Sequence, residues 1–420
     1  FAQFVAGLCA LIAPAYLVMS AMLNIPVFEP VYWAICSLLV IRIIRHDQPK
    51  LWLVVGVVAG IGLLNKHTML LWGVGLAAGL LLTGQRRQLT TAWPWLGGMI
   101  AFVIFLPNLF WQYQHEWATL EFIRNIDSGM LAEIPRILFL LGQVLYMHPF
   151  TVPIWALGIY FFFSKGQKDL RLFGWLYVVV LFILLIRHGK PYYLAPVYPM
   201  LFAGGSLLME RWTVGTNGKS FRTAIASILV VGGAIFIPLA LPMLSLTAKE
   251  HLIETVAGQA LPPEALTADM RLQHGWHAYL ETLESVYADL SPEERPTTAI
   301  LSDKYNIVSA VNFLAEPNQL PRAFSGHMTY YFWGPPPSAM TTFITCGIEE
   351  DQLKKLFGSV AESGELSDPL GDTEFEGMRV YVCRAPYRPM AETWTEFRRF
   401  YHVDRSQSTP AEALTHDVSE

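Results

Sequence analysis

Long stretches without a charged residue constrain this chain more than any other feature of its sequence. They recur over the first 248 residues, where charges form short clusters, whereas from Lys249 onward charges are spread evenly. A bilayer core about 30 Å thick needs about 20 apolar residues in a helix. The pattern therefore predicts an α-helical polytopic membrane domain at 1–248, an α/β domain at 249–405 and a disordered tail at 406–420.

Nine apolar runs are candidates for membrane-crossing helices. The run Leu51–Leu64 is short, but another follows at once, so the two are predicted to form a tight hairpin around Asn65–His67. The long run Ile137–Phe163 contains Pro149 and Pro153, which predicts an interfacial helix followed by a shorter span. The runs are Phe1–Ala21, Val27–Ile44, Leu51–Leu64, Thr68–Thr83, Trp93–Gln112, Ile137–Phe163, Leu172–Ile186, Pro191–Met209 and Thr223–Leu244.

The distribution of lysine and arginine predicts how these helices are oriented. Short cytoplasmic loops are enriched in basic residues. One set of alternate loops carries eleven of them, and the other carries five: Lys66, Arg124, Arg136, Arg187 and Lys190. We therefore expect a multi-pass protein of a bacterial inner membrane whose second set of loops and C-terminal domain are periplasmic.

Glycines at helical spacing occur within two of the runs. Gly56 and Gly60 are four residues apart, as are Gly75 and Gly79. Small residues at this spacing let membrane helices approach closely. Packing is a sufficient explanation for them.

Charge and cysteine content narrow the function classes. The net charge is −5 and no stretch concentrates lysine and arginine, so nucleic acid is not an expected partner. Cys346 and Cys383 lie in the C-terminal part and could pair if that part is extracytoplasmic, or remain free.

The chain begins at Phe1 inside an apolar run without a charged segment before it. This start is not typical of a signal peptide and is expected of a fragment that lacks its N-terminus.

The C-terminal part has the pattern of a mixed α/β domain. Short strands are predicted at Thr298–Leu301, Thr341–Cys346 and Arg379–Cys383, and helices at Ile307–Leu314 and Glu349–Phe357.

Two polar clusters border apolar runs on the predicted external face. Glu29 lies near the start of a run. A carboxylate there can interact with the partial positive charge of the helix N-terminus, or it can bind a metal ion or a sugar hydroxyl. Lys66 and His67 lie in a short turn, where the lysine can extend toward lipid headgroups or bind a phosphate. Ionisable groups near the membrane interior are costly, so a functional role is weighed for each.

A third cluster is the densest on that face. Arg187, His188 and Lys190 are followed by Tyr192 and Tyr193. These side chains can bind an anionic lipid headgroup. Basic and aromatic side chains that only anchor a helix at the membrane surface have the same composition.

The C-terminal part offers fewer candidates. The aromatic segment Ser325–Pro335 contains His327 and can stack on a sugar or pack a small core. His274 and His277 can share a helix face, but no third metal ligand accompanies them.

Five segments of the sequence together resemble a known family: Phe28–Trp33, Gly60–Thr68, Leu106–His115, Gly189–Pro196 and Ser325–Pro335. They are similar to bacterial members of the dolichyl-phosphate-mannose–protein mannosyltransferase-like group of the GT-C superfamily (glycosyltransferase family 39-like), which is related to the aminoarabinose transferases of lipid A.

The resemblance implies inverting transfer of a sugar from a polyprenyl-phosphate-linked donor to lipid A, another glycan or a protein at the periplasmic face. Glu29 then matches a secondary acidic site, with a divalent metal ion as a possible cofactor. The residues expected to bind substrate are Lys66, His67, Arg187, His188, Lys190, Tyr192, Tyr193 and His327. The family's principal catalytic acid precedes the residues matched here and is expected to be missing from the fragment.

Two other classes remain open at this point. A transporter or flippase for lipid-linked sugars would show inverted repeats and a site at the bilayer midplane. No repeat is evident, and the polar residues gather at one face, which favours interfacial chemistry. A membrane-anchored binding protein would use its soluble domain instead.

Overall fold

The protein divides into two units that are described separately. The computed structural model describes residues 1–22, 24–127, 135–214, 218–257, 267, 270–271, 273–368, 370 and 375–400. The first unit comprises Phe1–Thr119 and Asp127–Leu244, and the second comprises Leu120–Ile126 and Ser245–Glu420. The predicted tail at 406–420 lies outside the described residues.

The first unit is helical. Two of the 3-10 turns between its helices are Ile25–Phe28 and Pro191–Val197. The α-helices up to the end of this unit are α1 (Ala2–Ile12), α2 (Pro14–Ala21), α3 (Glu29–His46), α4 (Leu51–Asn65), α5 (Met69–Leu81), α6 (Ala92–Gln114), α7 (Ala118–Asp127), α8 (Arg136–Tyr146), α9 (Val152–Phe163), α10 (Arg171–Ile186), α11 (Tyr198–Trp212) and α12 (Gly218–Ala240). The residues of α7 are divided between the two units.

Fewer helices than predicted are long enough to cross a membrane. Four described segments qualify by length and composition, and two bent helix pairs raise the number to six. Every predicted run contains a helix, but α4 and α5 have only 15 and 13 residues. At 1.5 Å per residue they are shorter than a 30 Å hydrocarbon core. The count of about nine spans is therefore not confirmed. The run with two prolines is broken as expected, since α8 and the following helix bend by 89°.

Glycines bring the helices of this unit into close contact. An added Cβ on Gly56 of α4 would overlap the backbone of Gly97 on α6. One on Gly79 of α5 would overlap the carbonyl of Leu172 on α10. The packing role predicted for these glycines is confirmed, and the two short helices pack mainly against different neighbours, α4 on α6 and α5 on α10.

The second unit is built around a five-stranded mixed sheet. Its strand order is β2-β1-β3-β5-β4, with β1 parallel to β2 and β3, and β5 antiparallel to β3 and β4. The three predicted strands and two predicted helices are confirmed within a few residues. The strands are β1 (Thr298–Ser302), β2 (Ala323–Phe324), β3 (Thr342–Cys346), β4 (Phe357–Leu366) and β5 (Met378–Pro386), and the helices are α13 (Leu246–Ala257), α14 (Trp276–Ala288), α15 (Tyr305–Leu314), α16 (Glu350–Leu356) and α17 (Met390–Thr393).

The two cysteines of the sheet lie on opposite faces. Cys346 packs in the cluster that contains Ile344 and Val382, whereas Cys383 packs in the cluster that contains Phe343. Side chains of a strand alternate between the faces of its sheet. Both thiols are buried and free, so the sheet does not join them by a disulfide.

Candidate active site

Glu29 begins helix α3 and is buried there. The turn Ile25–Phe28 delivers the chain to this helix, and Pro30 occupies an early helical position where its missing N–H costs nothing. A carboxylate in the first turn is favoured by the partial positive charge of the helix N-terminus. Only 5% of the Glu29 side chain is exposed, so it needs close polar partners.

Those partners come from the turn between α4 and α5. Lys66 Nζ lies 2.9 Å from Glu29 Oε2 and forms an ion pair with it. The Thr68 hydroxyl donates a hydrogen bond to the other carboxylate oxygen, Oε1. The end of α4 is also tied to the turn that precedes α3, because Asn65 Nδ2 donates to the carbonyl of Ile25 at 3.0 Å.

Two tyrosines complete the environment of the lysine. Lys66 Nζ lies 4.5 Å from the centre of the Tyr193 ring and 5.3 Å from that of Tyr192. The two rings contact each other edge to face, with centroids 4.7 Å apart. Aromatic faces attract cations, most strongly where water is excluded, and 18% of the Lys66 side chain is exposed. The ammonium group is therefore held between one carboxylate and two aromatic rings.

The turn that carries the tyrosines is anchored from both sides. Gln143 of α8 donates through Nε2 to the carbonyl of Pro191 at 3.0 Å and accepts from the Tyr198 hydroxyl at 3.2 Å. The Tyr16 hydroxyl donates to the carbonyl of Ala195 at 2.7 Å. These contacts fix Pro191–Val197 independently of the lysine.

The third predicted cluster leads directly into this turn. Helix α10 ends as the Gly189 N–H donates to the Leu184 carbonyl at 2.8 Å, with His188 in the left-handed region at a φ of 48°. The Nδ1 atom of His188 is buried and forms no hydrogen bond with any residue that the structure describes. Arg187 is exposed and Lys190 is half-buried.

Two other predicted site residues have different neighbours. His67 points to α6, where Nε2 lies 3.3 Å from Asn108 Oδ1 and the ring contacts Phe105. His327 belongs to the second unit, where its Nδ1 accepts from the Tyr305 N–H at 3.4 Å and its ring packs on that of Tyr305.

Two polar residues that shape the site are not predicted from the sequence. Thr68 has no distinguishing feature in the sequence beyond its place in the segment Gly60–Thr68, although its hydroxyl donates a hydrogen bond to Glu29. Gln143 lies inside an apolar run and is buried. A single amide in a long apolar segment is a usable signal, because a buried amide is retained only with hydrogen-bond partners.

The site does not have the composition of a metal centre. Metal ions such as Mg²⁺ and Ca²⁺ need several oxygen ligands, whereas an ammonium group and a hydroxyl hydrogen contact Glu29. No group of three His, Cys, Asp or Glu side chains suitable for a metal ion occurs in the part of the chain that the structure describes. The arrangement at Glu29 thus does not fit a metal cofactor.

Comparison with known proteins finds one family. Residues 2–111 match the family model of dolichyl-phosphate-mannose-protein mannosyltransferases. The match contains Glu29, Lys66 and Thr68 and confirms the predicted resemblance for this segment; Tyr192, Tyr193 and the sheet lie beyond it. The match covers 110 of the 420 residues and shows a likeness to that family over this segment. No curated protein and no solved structure matches the chain.

Proposed function

We propose that this protein transfers a sugar, with inversion, from a polyprenyl-phosphate-linked donor to an acceptor at the periplasmic face of a bacterial inner membrane. The observation that carries the proposal is the ion pair of Lys66 with Glu29, framed by Tyr192 and Tyr193. The pair joins two parts of the segment that matches the mannosyltransferase family. The acceptor is lipid A, another glycan or a protein.

Lys66 is proposed to bind the phosphate of the lipid donor. An ammonium group has three hydrogen-bond donors and no acceptor. Glu29 accepts one of them at 2.9 Å, which leaves capacity for phosphate oxygens. A cation fixed in place before the reaction stabilises the negative charge that develops on the departing lipid phosphate.

Glu29 is proposed to position Lys66 and to contact the sugar. Each carboxylate oxygen accepts more than one hydrogen bond, and each already has one partner, Lys66 or Thr68. The remaining lone pairs of the carboxylate can accept hydrogen bonds from hydroxyl groups of the sugar. An inverting displacement also needs a base for the acceptor hydroxyl, and we assign that role to none of the described residues.

The other predicted residues are proposed to complete the donor site. Arg187, His188 and Lys190 precede the anchored turn with the two tyrosines and would supply cations and donors to the phosphate. His67 would contribute to the donor site from its position beside α6. His327 belongs to the second unit and stays a predicted substrate-binding residue.

The experiment compares single substitutions in the full-length protein, in membranes from cells that express it. Lys66→Ala and Lys190→Ala are expected to lower transfer of labelled sugar from a polyprenyl-phosphate donor by about 10²- to 10³-fold, as removal of a transition-state charge partner does in other enzymes. The matched control is Lys168→Ala, an exposed lysine on the predicted opposite side, which should leave transfer unchanged. Full transfer by both variants would refute the phosphate-site assignment.

A further inference from the structure

The sheet-containing unit has a surface cleft that the proposed transfer reaction does not use. Two adjoining cavities of about 360 and 260 Å³ lie beside the edge strand β2. Both are lined by Arg322, Phe324 and Trp333. Their combined size is sufficient for one or two sugar rings, since small-molecule sites usually span about 300–1,000 Å³.

Trp333 forms an exposed wall of the cleft. Its side chain is 63% exposed, which is unusual for the largest apolar side chain. The ring is not loose, because it packs on Tyr330 with centroids 4.2 Å apart, and the Tyr330 hydroxyl is hydrogen-bonded to Ser309 at 2.7 Å. Gly334, with a φ of 93°, turns the chain away immediately after the tryptophan. The cleft thus presents a fixed, accessible aromatic face.

Arg322 supplies the charge of the cleft. Its guanidinium lies 5.3 Å from the centre of the Phe324 ring. Stacking on an aromatic face orients the planar fork and leaves its N–H groups available. Arg322 is exposed and makes no ion pair with any carboxylate in the described part of the chain. A fixed guanidinium of this kind suits a carboxylate or phosphate, which it can bind through two hydrogen bonds.

The floor of the cleft is polar but already satisfied. The Asn312 side-chain amide pairs with the backbone of Ala323, donating at 2.9 Å and accepting at 3.0 Å. This contact completes the outer edge of β2, which would otherwise be open to another strand. A ligand of the cleft is therefore recognised by side chains and not by strand addition.

We propose that this cleft binds a sugar residue that carries a negative charge. Trp333 would stack on the apolar C–H face of the ring, and Arg322 would pair with its carboxylate or phosphate group. The proposal concerns recognition only. It does not depend on the transferase function, and either can fail while the other holds.

The test measures binding to the intact protein in detergent micelles. The probes are a glucuronic acid disaccharide, glucose 1-phosphate, a neutral glucose disaccharide and inorganic phosphate, and the readout is intrinsic tryptophan fluorescence with isothermal calorimetry as a check. The charged sugars are expected to bind more tightly than the neutral sugar. Arg322→Gln should weaken charged-sugar binding by about tenfold to a hundredfold, the effect of losing a charged hydrogen bond.

Trp333→Ala should weaken binding of charged and neutral sugars alike by about tenfold, as expected for loss of an aromatic anchor. The matched controls are Tyr387→Ala and Arg388→Gln, an exposed aromatic and an exposed arginine of the same unit, and these should bind as the unaltered protein does. Absence of charged-sugar binding at millimolar concentration overturns the proposal. So does phosphate binding that equals sugar binding and is insensitive to Trp333→Ala, because the cleft would then hold a simple anion.

Discussion

The ion pair between Lys66 and Glu29 makes a quantitative prediction about stability. The two side chains are only 18% and 5% exposed. Removing one member of a buried pair costs about 3–5 kcal/mol, because the other charge is left without its partner. Of the hydrogen bonds to the Glu29 carboxylate in the described part of the chain, Lys66→Met leaves the one from Thr68. We therefore expect Lys66→Met to lower the free energy of unfolding by about 2–4 kcal/mol, discounted for the partial exposure of the lysine.

Glu29→Gln should cost less than Lys66→Met. The amide oxygen still accepts from Lys66 or Thr68, and the ammonium group keeps its contacts with the two tyrosine rings. A loss of about 1–3 kcal/mol follows from the missing charge. In the double variant no charge is left unpaired, so its loss should be smaller than the sum of the single losses by about 1–3 kcal/mol, the range for directly contacting residues.

The assay is unfolding of the purified protein in dodecyl maltoside micelles by added dodecyl sulfate, followed by tryptophan fluorescence. The free energy of unfolding is extrapolated to zero dodecyl sulfate for the unaltered protein, the two single variants and the double variant. Losses that add within about 0.5 kcal/mol would show that the side chains act independently. The pair, and with it the proposed preorganisation of Lys66, would then be refuted.

Three further predictions concern packing, thiol chemistry and pH. Gly56→Val should lower stability by about 1–3 kcal/mol in the same titration, because its side chain would overlap the backbone of α6, whereas Gly73→Ala, with nothing within 4 Å of the added Cβ, should not. Cys346 should resist maleimide until the protein unfolds, since burial raises the pKa of its thiol to about 12; fast labelling of native protein would contradict this. The Arg384 guanidinium lowers the pKa of the Glu294 carboxyl. This ion pair therefore makes its full contribution to the free energy of unfolding above the ordinary glutamate pKa of 4.5, and the contribution is lost as the pH falls through the lowered pKa. Glu294→Gln should remove that component of the acid-unfolding curve.

Apolar patterning predicted the helices of this protein better than it predicted their number of membrane crossings. Leu51–Leu64 and Thr68–Thr83 were identified as helices because an apolar environment requires every backbone N–H and carbonyl to be satisfied within the segment. The turn at Lys66 separates α4 and α5 where the sequence predicts a hairpin, and their lengths of 15 and 13 residues agree with the two predicted runs within three residues. Hydropathy does not decide whether helices this short cross a membrane.

In the sheet domain, burial decided which strands could be predicted. The strands β1 and β3 are completely buried, so they appear in the sequence as short apolar runs. By contrast, β4 is largely exposed and carries the polar sequence Gly358–Glu365, which lacks the apolar alternation of a recognisable strand. Its pairing with β5 is a tertiary effect.

The candidate site was predictable as a set of residues but not as a set of contacts. Glu29, Lys66 and the tyrosines are each recognisable in the sequence, because polar groups beside apolar runs are costly. Their pairing was not predictable, because Glu29 and Lys66 are 37 positions apart and each had a sufficient local explanation. The tertiary structure removes that ambiguity: a lysine that only extended toward headgroups would not contact a buried carboxylate.

The charge balance of the pair bears on what else the donor site needs. Glu29 and Lys66 together are neutral, so they offer a bound phosphodiester one positioned cation but no net positive charge. When the sugar departs, the lipid phosphate becomes a monoester and its charge approaches −2. A neutral pair cannot balance that increase, and the uncompensated charge would be costly in a water-poor site. The additional cations would have to come from the segment that leads into the tyrosine turn, where Arg187 and Lys190 are the basic residues. On this proposal Lys66 would supply the first cation to the donor phosphate, and Arg187 and Lys190 would add the positive charge that the departing phosphate requires.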